Sequence, residues 1–567
     1  MVHIINGRSG SGKSTVLLDT ICERAKNNDN IILIVPEQAS FQNESEILNR
    51  LGAKNARNID VLSLQRLCDH IEMEYGKDSK KELSDGARLI LMSLAIEAVQ
   101  DKLELYGERT GKSDLTSLML TAVSEYKICL MTPEKLMELS KRVSDGRLRK
   151  KLHDSALIYE AYDALISETY IDPLDKLISA SLVLAKNNFF SGKVVAIDSF
   201  HSFTAEELEI VSLAIQQSKD FYITLCRDIE NNDNDSMFYF VNRTYSVIKK
   251  LASENGIKFE DINLSVDDNK RYKNDDLRYV EELIFRNEDL EQDFGGSVML
   301  YEAEDIYDES EQVARDIKKL VADGYRYDEI AIICRDSEMY RGIINSSFKK
   351  YDMPRFVSYP ERLEAKPLMR LVLSMLEAAV GNRTTESILT ILKTGMTSIP
   401  DDDIFALENY AFVWNLKGSD WNKPFTRSID GFIDRSGEDG TEILEKLEAH
   451  RKLISETIFK LRDNLKNADG AEMTSAVFKA LEDFGAFEKV KQLSLYFEQN
   501  DESILAEEEL RVWDMLMQLF DTLYETLKEK YISPKRYFEL IEMIISQGNI
   551  STIPRTLDEV TLGNADT

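Results

Sequence analysis

Eight residues near the start of the sequence have the types and spacing of a phosphate-binding loop. The segment reads Gly7-Arg8-Ser9-Gly10-Ser11-Gly12-Lys13-Ser14 and fits G-x-x-x-x-G-K-[ST] at every fixed position. Glycines let backbone amides turn toward phosphate oxygens, the lysine reaches the β- and γ-phosphates, and the last serine ligates Mg²⁺. We therefore predict a site for ATP and Mg²⁺ that also includes the next residue, Thr15.

Hydrolysis of a bound nucleotide needs a second protein ligand for Mg²⁺ and a base that activates water. Asp198 follows the apolar run 193–197 and is predicted as that ligand, with a strand-end capping residue as the alternative. Ser199 stands next, where many P-loop enzymes have a glutamate, and Glu206 and Glu207 lie too far along the chain to replace it. We therefore predict nucleotide binding and assign no catalytic residue.

Two more residues are candidates for the nucleotide site. Arg335 follows the apolar run 330–334, where an arginine neutralises charge on a γ-phosphate; an exposed loop arginine is the alternative. We predict Arg335 as a nucleotide-binding residue. His201 has no serine, cysteine or aspartate arrangement that supports nucleophilic catalysis, so we interpret it as structural.

Composition limits the class of protein. The chain has 567 residues, and single hydrophobic cores stop growing at roughly 250–300 residues, so we expect two to four domains. Its five cysteines lack the spacing of zinc or iron–sulfur ligands. No apolar run approaches the ~20 residues of a membrane span. We therefore expect a cytoplasmic protein with reduced thiols and no membrane partner.

The net charge of −31 argues against a uniformly basic nucleic-acid coat, but it permits a local basic channel. One short stretch is dense in basic residues and lies within a helical segment. A solvated helix face is the favoured interpretation of this stretch, and contact with phosphates is the alternative. Its basic residues are Lys141, Arg142, Arg147, Arg149, Lys150 and Lys151.

Strand-length apolar runs alternate with helical patterns and predict two α/β units, each interrupted by a long helical stretch. A polar loop at 231–235 and a charged stretch at 267–276 separate the units. Because the last strand begins with nothing after it to close the fold, we expect the chain to be part of a longer protein. The predicted strands are 2–5, 31–35, 59–62, 193–198, 221–225, 297–301, 329–334 and 560–562, with a helix at 308–322 and mostly helical sequence at 83–184 and 369–547.

In their order, these segments resemble superfamily 1 DNA helicases of the UvrD type. Within that superfamily the sequence resembles the B subunit of bacterial AddAB (RexAB) helicase–nucleases. That resemblance rests on the P-loop, on Val35-Pro36-Glu37-Gln38 and on the tail Glu559-Val560-Thr561-Leu562-Gly563-Asn564-Ala565-Asp566. The helicase motifs correspond to 31–41 (Ia), 61–67 (Ib), 193–198 (II) and 330–336 followed by Pro354 and Phe356 (IV).

The resemblance implies an α/β fold with two RecA-like parallel-sheet domains, each interrupted by a mostly helical insertion. A 1B-like insertion is expected within the first domain and a 2B-like insertion within the second. The expected boundaries are 1–80 and 186–285 for the first RecA-like domain, 81–185 for its insertion, 286–375 and 556–567 for the second RecA-like domain, and 376–555 for its insertion.

The same resemblance implies a function. In that family this subunit pairs with a motor A subunit. The complex binds double-strand ends and single strands of DNA, and it processes breaks for recombinational repair with recognition of the Chi sequence. Ser199 and the missing Gly-Asp-x-x-Gln in 221–228 imply degenerate helicase activity. The nuclease domain and its iron–sulfur cluster are expected beyond Thr567. An active superfamily 1 helicase, or a P-loop kinase or ATPase unrelated to DNA, remains as an alternative.

Overall fold

The computed structural model divides the chain into two compact units. Unit 1 comprises Met1–Leu83 and Met92–Leu300, and unit 2 comprises Ser84–Leu91 and Tyr301–Thr567. The polar loop predicted at 231–235 and the boundaries predicted at 285/286 and 555/556 lie outside the described residues, as does part of the stretch at 267–276. The described residues are 1–76, 80–107, 113–167, 169–229, 237–264, 271–272, 274–283, 295–357, 361–381, 384–429, 431, 438–500, 502–550 and 558–564.

Unit 1 combines strands and helices in alternation. Its strands are β1 (Val2–Gly7), β2 (Ile31–Ile34), β3 (Ile59–Leu62), β4 (Lys81–Glu82), β5 (Tyr170–Ile171), β6 (Val194–Ile197), β7 (Asp220–Cys226) and β8 (Phe259–Asn263). Its helices are α1 (Lys13–Lys26), α2 (Glu37–Ala56), α3 (Leu64–Tyr75), the second half of α4 (Asp85–Val99), α5 (Ser113–Ile128), α6 (Pro133–Arg142), α7 (Gly146–Ile166), α8 (Lys176–Asn187), α9 (Ala205–Gln217), α10 (Tyr239–Glu254) and α11 (Asp275–Leu283).

The main sheet of unit 1 is parallel and, within the described ranges, has six strands in the order β3-β2-β6-β7-β1-β8. Five of these strands confirm the sequence prediction. The sixth, β8, was not predicted, because an edge strand with acidic, mostly exposed residues lacks the apolar run that marks a buried strand. The carboxyl ends of all parallel strands lie at one edge of the sheet, which is where such folds place ligands.

Helices cover both faces of this sheet because its strands are apolar on both sides. Ile5 packs with Leu17 of α1 on one face, whereas its neighbour Ile4 packs with Ile210 of α9 and Ile248 of α10 on the other. Consecutive strand residues point to opposite faces, and all five side chains are fully buried. Full burial of one such side chain stabilises the fold by about 1.5–3 kcal/mol. The two cores hold the strand ends in place.

The stretch between β3 and β6 is mainly helical, as predicted, and runs from α3 to α8. β4 and β5 form a two-residue parallel pair within it. Residues Ser84–Leu91 group with unit 2 and the rest of the stretch groups with unit 1. The boundaries of a separate 1B-like domain stay a prediction.

Unit 2 also contains both strands and helices. Its strands are β9 (Ala331–Cys334), β10 (Arg355–Val357), β11 (Glu361–Arg362), β12 (Asn549–Ile550) and β13 (Val560–Asn564). Its helices are the first half of α4, α12 (Ile306–Ala322), α13 (Ser337–Lys350), α14 (Pro367–Val380), α15 (Thr385–Lys393), α16 (Asp401–Val413), α17 (Glu438–Asn464), α18 (Gly470–Phe484), α19 (Ala486–Gln499), α20 (Ser503–Leu527) and α21 (Pro534–Gln547).

A small parallel sheet in unit 2 has the order β10-β13-β9 in the part of the chain that is described. Ile317 of α12 and Phe348 of α13 pack with Leu562 of β13 in one core. The strands predicted at 329–334 and 560–562 and the helix predicted at 308–322 are confirmed. The strand predicted at 297–301 is wrong. That segment is apolar but largely exposed, and none of the described strands includes it or pairs with it.

The rest of unit 2 is predominantly helical, which confirms the pattern at 369–547. Close packing there depends on Gly470 at the start of α18, because an added Cβ would come within 2.2 Å of the Leu527 Cβ. No helix among the described residues has the length and apolar character to cross a lipid bilayer.

Candidate nucleotide-binding site

The predicted phosphate-binding loop lies between β1, which ends at Gly7, and α1, which begins at Lys13. Gly10 has a φ of 81° and Gly12 a φ of 88°, a left-handed conformation that favours glycine. At Gly7 an added Cβ would lie 2.4 Å from the Ser11 Oγ. Glycine is therefore required at the first position for space and at the other two for backbone conformation.

The first turn of α1 has no side-chain cap. Its N-cap residue, Gly12, makes no side-chain hydrogen bond. The first amides of a helix have no partner within the helix, and the helix dipole adds positive potential at that end. This end of α1 can therefore donate several hydrogen bonds to an anion.

A cleft of about 910 Å³ opens at this point and belongs entirely to unit 1. The carboxyl ends of β1, β6, β7 and β8 meet at the same edge of the sheet, so residues from distant parts of the sequence converge here. The lining residues are Ser9, Gly10, Ser11, Gly12, Lys13, Ser14, Thr15, Val16, Asp19, Asp198, Ser199, Phe200, His201, Thr224, Cys226, Leu264 and Arg271.

Lys13 lies across the loop that precedes it. Its Nζ donates a hydrogen bond to the Arg8 carbonyl oxygen at 2.7 Å. Burial lowers the pKa of Lys13, while Cys226 and the negative charge of Asp198 act in the opposite direction. A phosphate would supply the counter-charge that this partly buried ammonium lacks.

The Ser11 hydroxyl gives independent support for a ligand. The residue is 7% exposed, and its Oγ is buried without a hydrogen-bond partner among the described residues. Buried polar atoms are nearly always hydrogen-bonded, so an unpaired one in a binding cleft points to a group that completes it. A phosphate oxygen has the required acceptor character. The loop therefore fits a polyphosphate.

Asp198 lies at the carboxyl end of β6, where the sequence placed it. It is 4% exposed, its amide donates to the Ile34 carbonyl at 3.1 Å, and one carboxylate oxygen accepts a hydrogen bond from the Thr224 hydroxyl. Ser14 lines the same cleft, so a carboxylate and a hydroxyl are both present. Mg²⁺ prefers such oxygen ligands and keeps several waters. Both residues fit the predicted metal role, which stays a prediction.

The residue after Asp198 has an unusual backbone. Ser199 has a φ of 65°, a left-handed conformation that is uncommon outside glycine and is often found at functional sites. Ser199, Phe200 and His201 all line the cleft. Glu206 does not, because its side chain is buried at the start of α9. Asp198 and Asp19 are the carboxylates among the described lining residues.

The Arg8 side chain makes contacts away from the cleft, and its predicted role in nucleotide binding stays a prediction. Its guanidinium donates a hydrogen bond to the Asp228 carboxylate at 3.3 Å. It also donates to the Glu281 carboxylate at 3.0 Å and to the Glu281 backbone carbonyl oxygen at 2.6 Å. Its guanidinium carbon lies 5.7 Å from the Phe238 ring centroid. These contacts link the loop to the segment that follows β7 and to α11, and the Arg8 side chain is not part of the described cleft lining.

Arg271 was missed by sequence reasoning. It lines the cleft, and its Nη1 donates to the Ser9 Oγ at 3.2 Å. It lies in the charged stretch that the sequence interpreted as a domain boundary, and nothing in that pattern marked it. Its positive charge also lowers the pKa of Lys13. A second cation near the phosphate site is what a polyanion requires.

Arg335 lies in unit 2, directly after β9, and is exposed. Its proposed contact with a γ-phosphate stays a prediction. Among the described residues, no group of three or more His, Cys, Asp or Glu is placed to hold a metal ion.

Two protein-family models match the chain. Residues 4–281 match the family model "ADDB, N-terminal", and residues 270–561 match "UvrD-like helicase C-terminal domain". The chain belongs to the family of the UvrD-like helicase C-terminal domain. Its N-terminal part is similar to AddB, which confirms the resemblance found in the sequence.

Curated relatives to which the chain is similar are named as the B subunit of an "ATP-dependent helicase/deoxyribonuclease". The chain is 27% identical to that of Thermoanaerobacter sp. (strain X514) over 583 residues, 29% to that of Clostridium kluyveri over 581 and 29% to that of Clostridium botulinum (strain Hall) over 582. These alignments cover 99–100% of the chain and 50% of each relative. The chain thus spans about half the length of the curated relatives it matches.

Proposed function

We propose that the chain is the helicase-like part of an AddB-type protein that binds ATP with Mg²⁺ and acts on DNA. The observation that carries this proposal is the cleft of unit 1. The uncapped start of α1, the Lys13 ammonium and the unpaired Ser11 hydroxyl all line one space. Their charge and donors complement a polyphosphate.

The roles in this site follow from the chemistry of each group. The amides of Gly10 to Thr15 donate to phosphate oxygens, and Lys13 and Arg271 neutralise phosphate charge. Ser14 and Asp198 hold Mg²⁺, which when bound offsets further negative charge on the phosphates. Thr224 fixes the Asp198 carboxylate through its hydrogen bond. All of these groups belong to unit 1.

Hydrolysis is expected to be weak. Two carboxylates occur among the described lining residues, and one of them, Asp19, is paired with Arg50. The other is Asp198, which the proposal assigns to the metal. No further carboxylate among the described lining residues is in position to activate water. The nucleotide would thus act mainly as a bound structural ligand.

Unit 2 is proposed as the second RecA-like domain. Its parallel sheet β10-β13-β9 with α12 and α13 packed against one face supports this assignment. The helical stretches at 81–185 and 376–555 are proposed as the 1B-like and 2B-like insertions, and Arg335 as a residue that contacts the γ-phosphate. The match of residues 270–561 to a UvrD-like helicase domain supports the same organisation.

The biological role is extended from the relatives, whose printed name joins an ATP-dependent helicase to a deoxyribonuclease. We propose that the chain contacts DNA ends and single strands while a partner A subunit supplies the motor. Its own part would be to scan DNA, including recognition of Chi, during recombinational repair of double-strand breaks. The lack of a water-activating carboxylate among the described lining residues supports scanning rather than strand separation as its task.

The test combines nucleotide hydrolysis with DNA binding. The chain should bind single-stranded and forked DNA with an affinity that falls as salt rises, because phosphate contacts release counterions. It should release little phosphate from ATP with or without DNA. Steady DNA-stimulated hydrolysis that Asp198→Ala abolishes would instead identify an active motor. A chain that binds ATP but no DNA, alone or with the A subunit, would leave a kinase or an unrelated ATPase.

A further inference from the structure

The turn between α6 and α7 forms a concentrated basic surface on an acidic protein. Residues 141–151 contain six basic residues and one acidic residue, Asp145, whereas the whole chain has a net charge of −31. The basic residues, here called the α6–α7 basic turn, are Lys141, Arg142, Arg147, Arg149, Lys150 and Lys151.

Most of this charge is not neutralised within the described part of the protein. The structure gives ion pairs to Arg142, whose guanidinium lies 3.7 Å from Glu138, and to Arg149, which lies 3.0 Å from Glu104. The Arg142 side chain is 76% exposed, so that pair contributes little. The other four cations have no ion-pair partner among the described residues. They are Lys141, Arg147, Lys150 and Lys151.

The fold does not need these cations. The buried residues of α7 begin at Asp154, so the first two turns of the helix project away from the core. The helix is capped by Asp145, whose side chain accepts from the Leu148 amide at 2.7 Å. Cations at a helix N-terminus oppose the helix dipole. By contrast, α9 has the acidic residues Glu206 and Glu207 in its first turn, where negative charge is favourable for the helix dipole.

We propose that the α6–α7 basic turn binds the phosphodiester backbone of DNA. Four unpaired cations that project from a helical hairpin match a polyanion with regularly spaced charges. This inference rests on the DNA-binding function proposed above and assigns a surface to it. The competing occupant is an acidic protein surface, including that of a second copy of this chain.

The salt dependence of binding distinguishes a phosphate contact from a general loss of charge. Each phosphate neutralised contributes about 0.9 to the slope of log affinity against log salt on duplex DNA, and about 0.7 on single strands. Removing four such contacts should make this negative slope less steep by about 3–4 on duplex DNA. It should also weaken binding at least tenfold near 0.1 M salt.

The test uses two variants of the chain with the same change in net charge. One carries Lys141→Gln, Arg147→Gln, Lys150→Gln and Lys151→Gln. The matched control carries Lys26→Gln, Lys54→Gln, Arg57→Gln and Lys186→Gln, four exposed cations elsewhere in unit 1. Binding to labelled forked duplex and single-stranded oligonucleotides is followed by fluorescence anisotropy between about 50 and 300 mM salt, with folding checked by circular dichroism.

For the first variant, the expected result is weaker DNA binding whose affinity depends less steeply on salt. The control should give values near those of the wild type. Equal losses in both variants, or no loss in either, would overturn the inference while wild-type DNA binding left the proposed function intact. Loss of self-association in the first variant, with DNA binding unchanged, would also overturn it in favour of an acidic protein partner. A wild-type chain that binds ATP but no DNA would overturn both proposals.

Discussion

Replacing Glu206 by glutamine should remove a pH dependence from the stability of unit 1. Glu206 lies in the first turn of α9, is 3% exposed, and has one carboxylate oxygen buried without a hydrogen-bond partner among the described residues. Close to it, the Lys127 Nζ pairs with Asp175 at 2.6 Å and with Asp163 at 3.2 Å. One ammonium is thus shared among several carboxylates, and Glu206 has no cation of its own among the described residues.

Burial, followed by the negative charge of nearby Asp175, raises the pKa of Glu206 to about 7, while Lys127 opposes the shift. In an unfolded chain the pKa of a glutamate is about 4.3. As pH rises from about 5 to 8, the unfolded chain releases this proton before the folded chain does, so the unfolded state gains stability relative to the folded one. The free energy of unfolding should fall by about 2–3 kcal/mol over this range from Glu206 alone.

The assay is urea unfolding at four pH values from about 5 to 8, followed by circular dichroism, for wild type, Glu206→Gln and Glu207→Gln. The neutral amide at 206 should raise stability over wild type by about 1 kcal/mol at the lowest pH and by about 3–4 kcal/mol at the highest. Glu207 is the matched control, because it is the neighbouring carboxylate and caps the same helix by accepting from the Thr204 amide at 2.8 Å.

Tryptophan fluorescence gives an internal reference. The three tryptophans, Trp414, Trp421 and Trp513, all belong to unit 2, so their fluorescence follows the unfolding of that unit beside the circular dichroism of the whole chain. Parallel stability curves for wild type and Glu206→Gln across the four pH values would refute the reasoning. A similar pH-dependent gain in Glu207→Gln would show that the effect does not come from burial.

Three further outcomes are expected. Arg271→Ala should weaken nucleotide binding about tenfold by calorimetry, because a cation leaves the cleft; an unchanged affinity would exclude that role. Ser11→Ala should weaken nucleotide binding yet stabilise the nucleotide-free chain by about 1 kcal/mol in urea unfolding, since it removes a buried unpaired hydroxyl; a loss of stability would contradict this. Gly470→Ala should destabilise unit 2 by about 1–3 kcal/mol, because the new Cβ meets Leu527; unchanged tryptophan-detected unfolding would contradict it.

The sequence predicted the central part of the main sheet because β1, β2, β6 and β7 are buried on both faces and read as continuous apolar runs. It missed β8, whose position at the sheet edge leaves it exposed. It also predicted a strand at 297–301 from apolar residues alone, although strand formation depends on a neighbouring strand that local sequence does not specify.

The candidate site shows the same limit. The loop from Gly7 to Ser14 is local in sequence, so its spacing was sufficient to predict it. Asp198 could be predicted as well, because it ends an apolar strand. Arg271 reaches the cleft only through the pairing of β8 with β1, a contact between distant parts of the sequence such as Val2 and Phe259. No local pattern records such a contact, and the burial of Ser11 is visible only once the chain is folded.

The most direct test of the account is titration of the wild-type chain and Lys13→Ala with ATP and Mg²⁺ by isothermal calorimetry at neutral pH. The account predicts one site per wild-type chain and at least about tenfold weaker binding in the variant, with both proteins giving the same circular dichroism spectrum. Equal affinity of the two chains, or no binding by a folded wild-type chain, would contradict the claim that this loop holds the nucleotide.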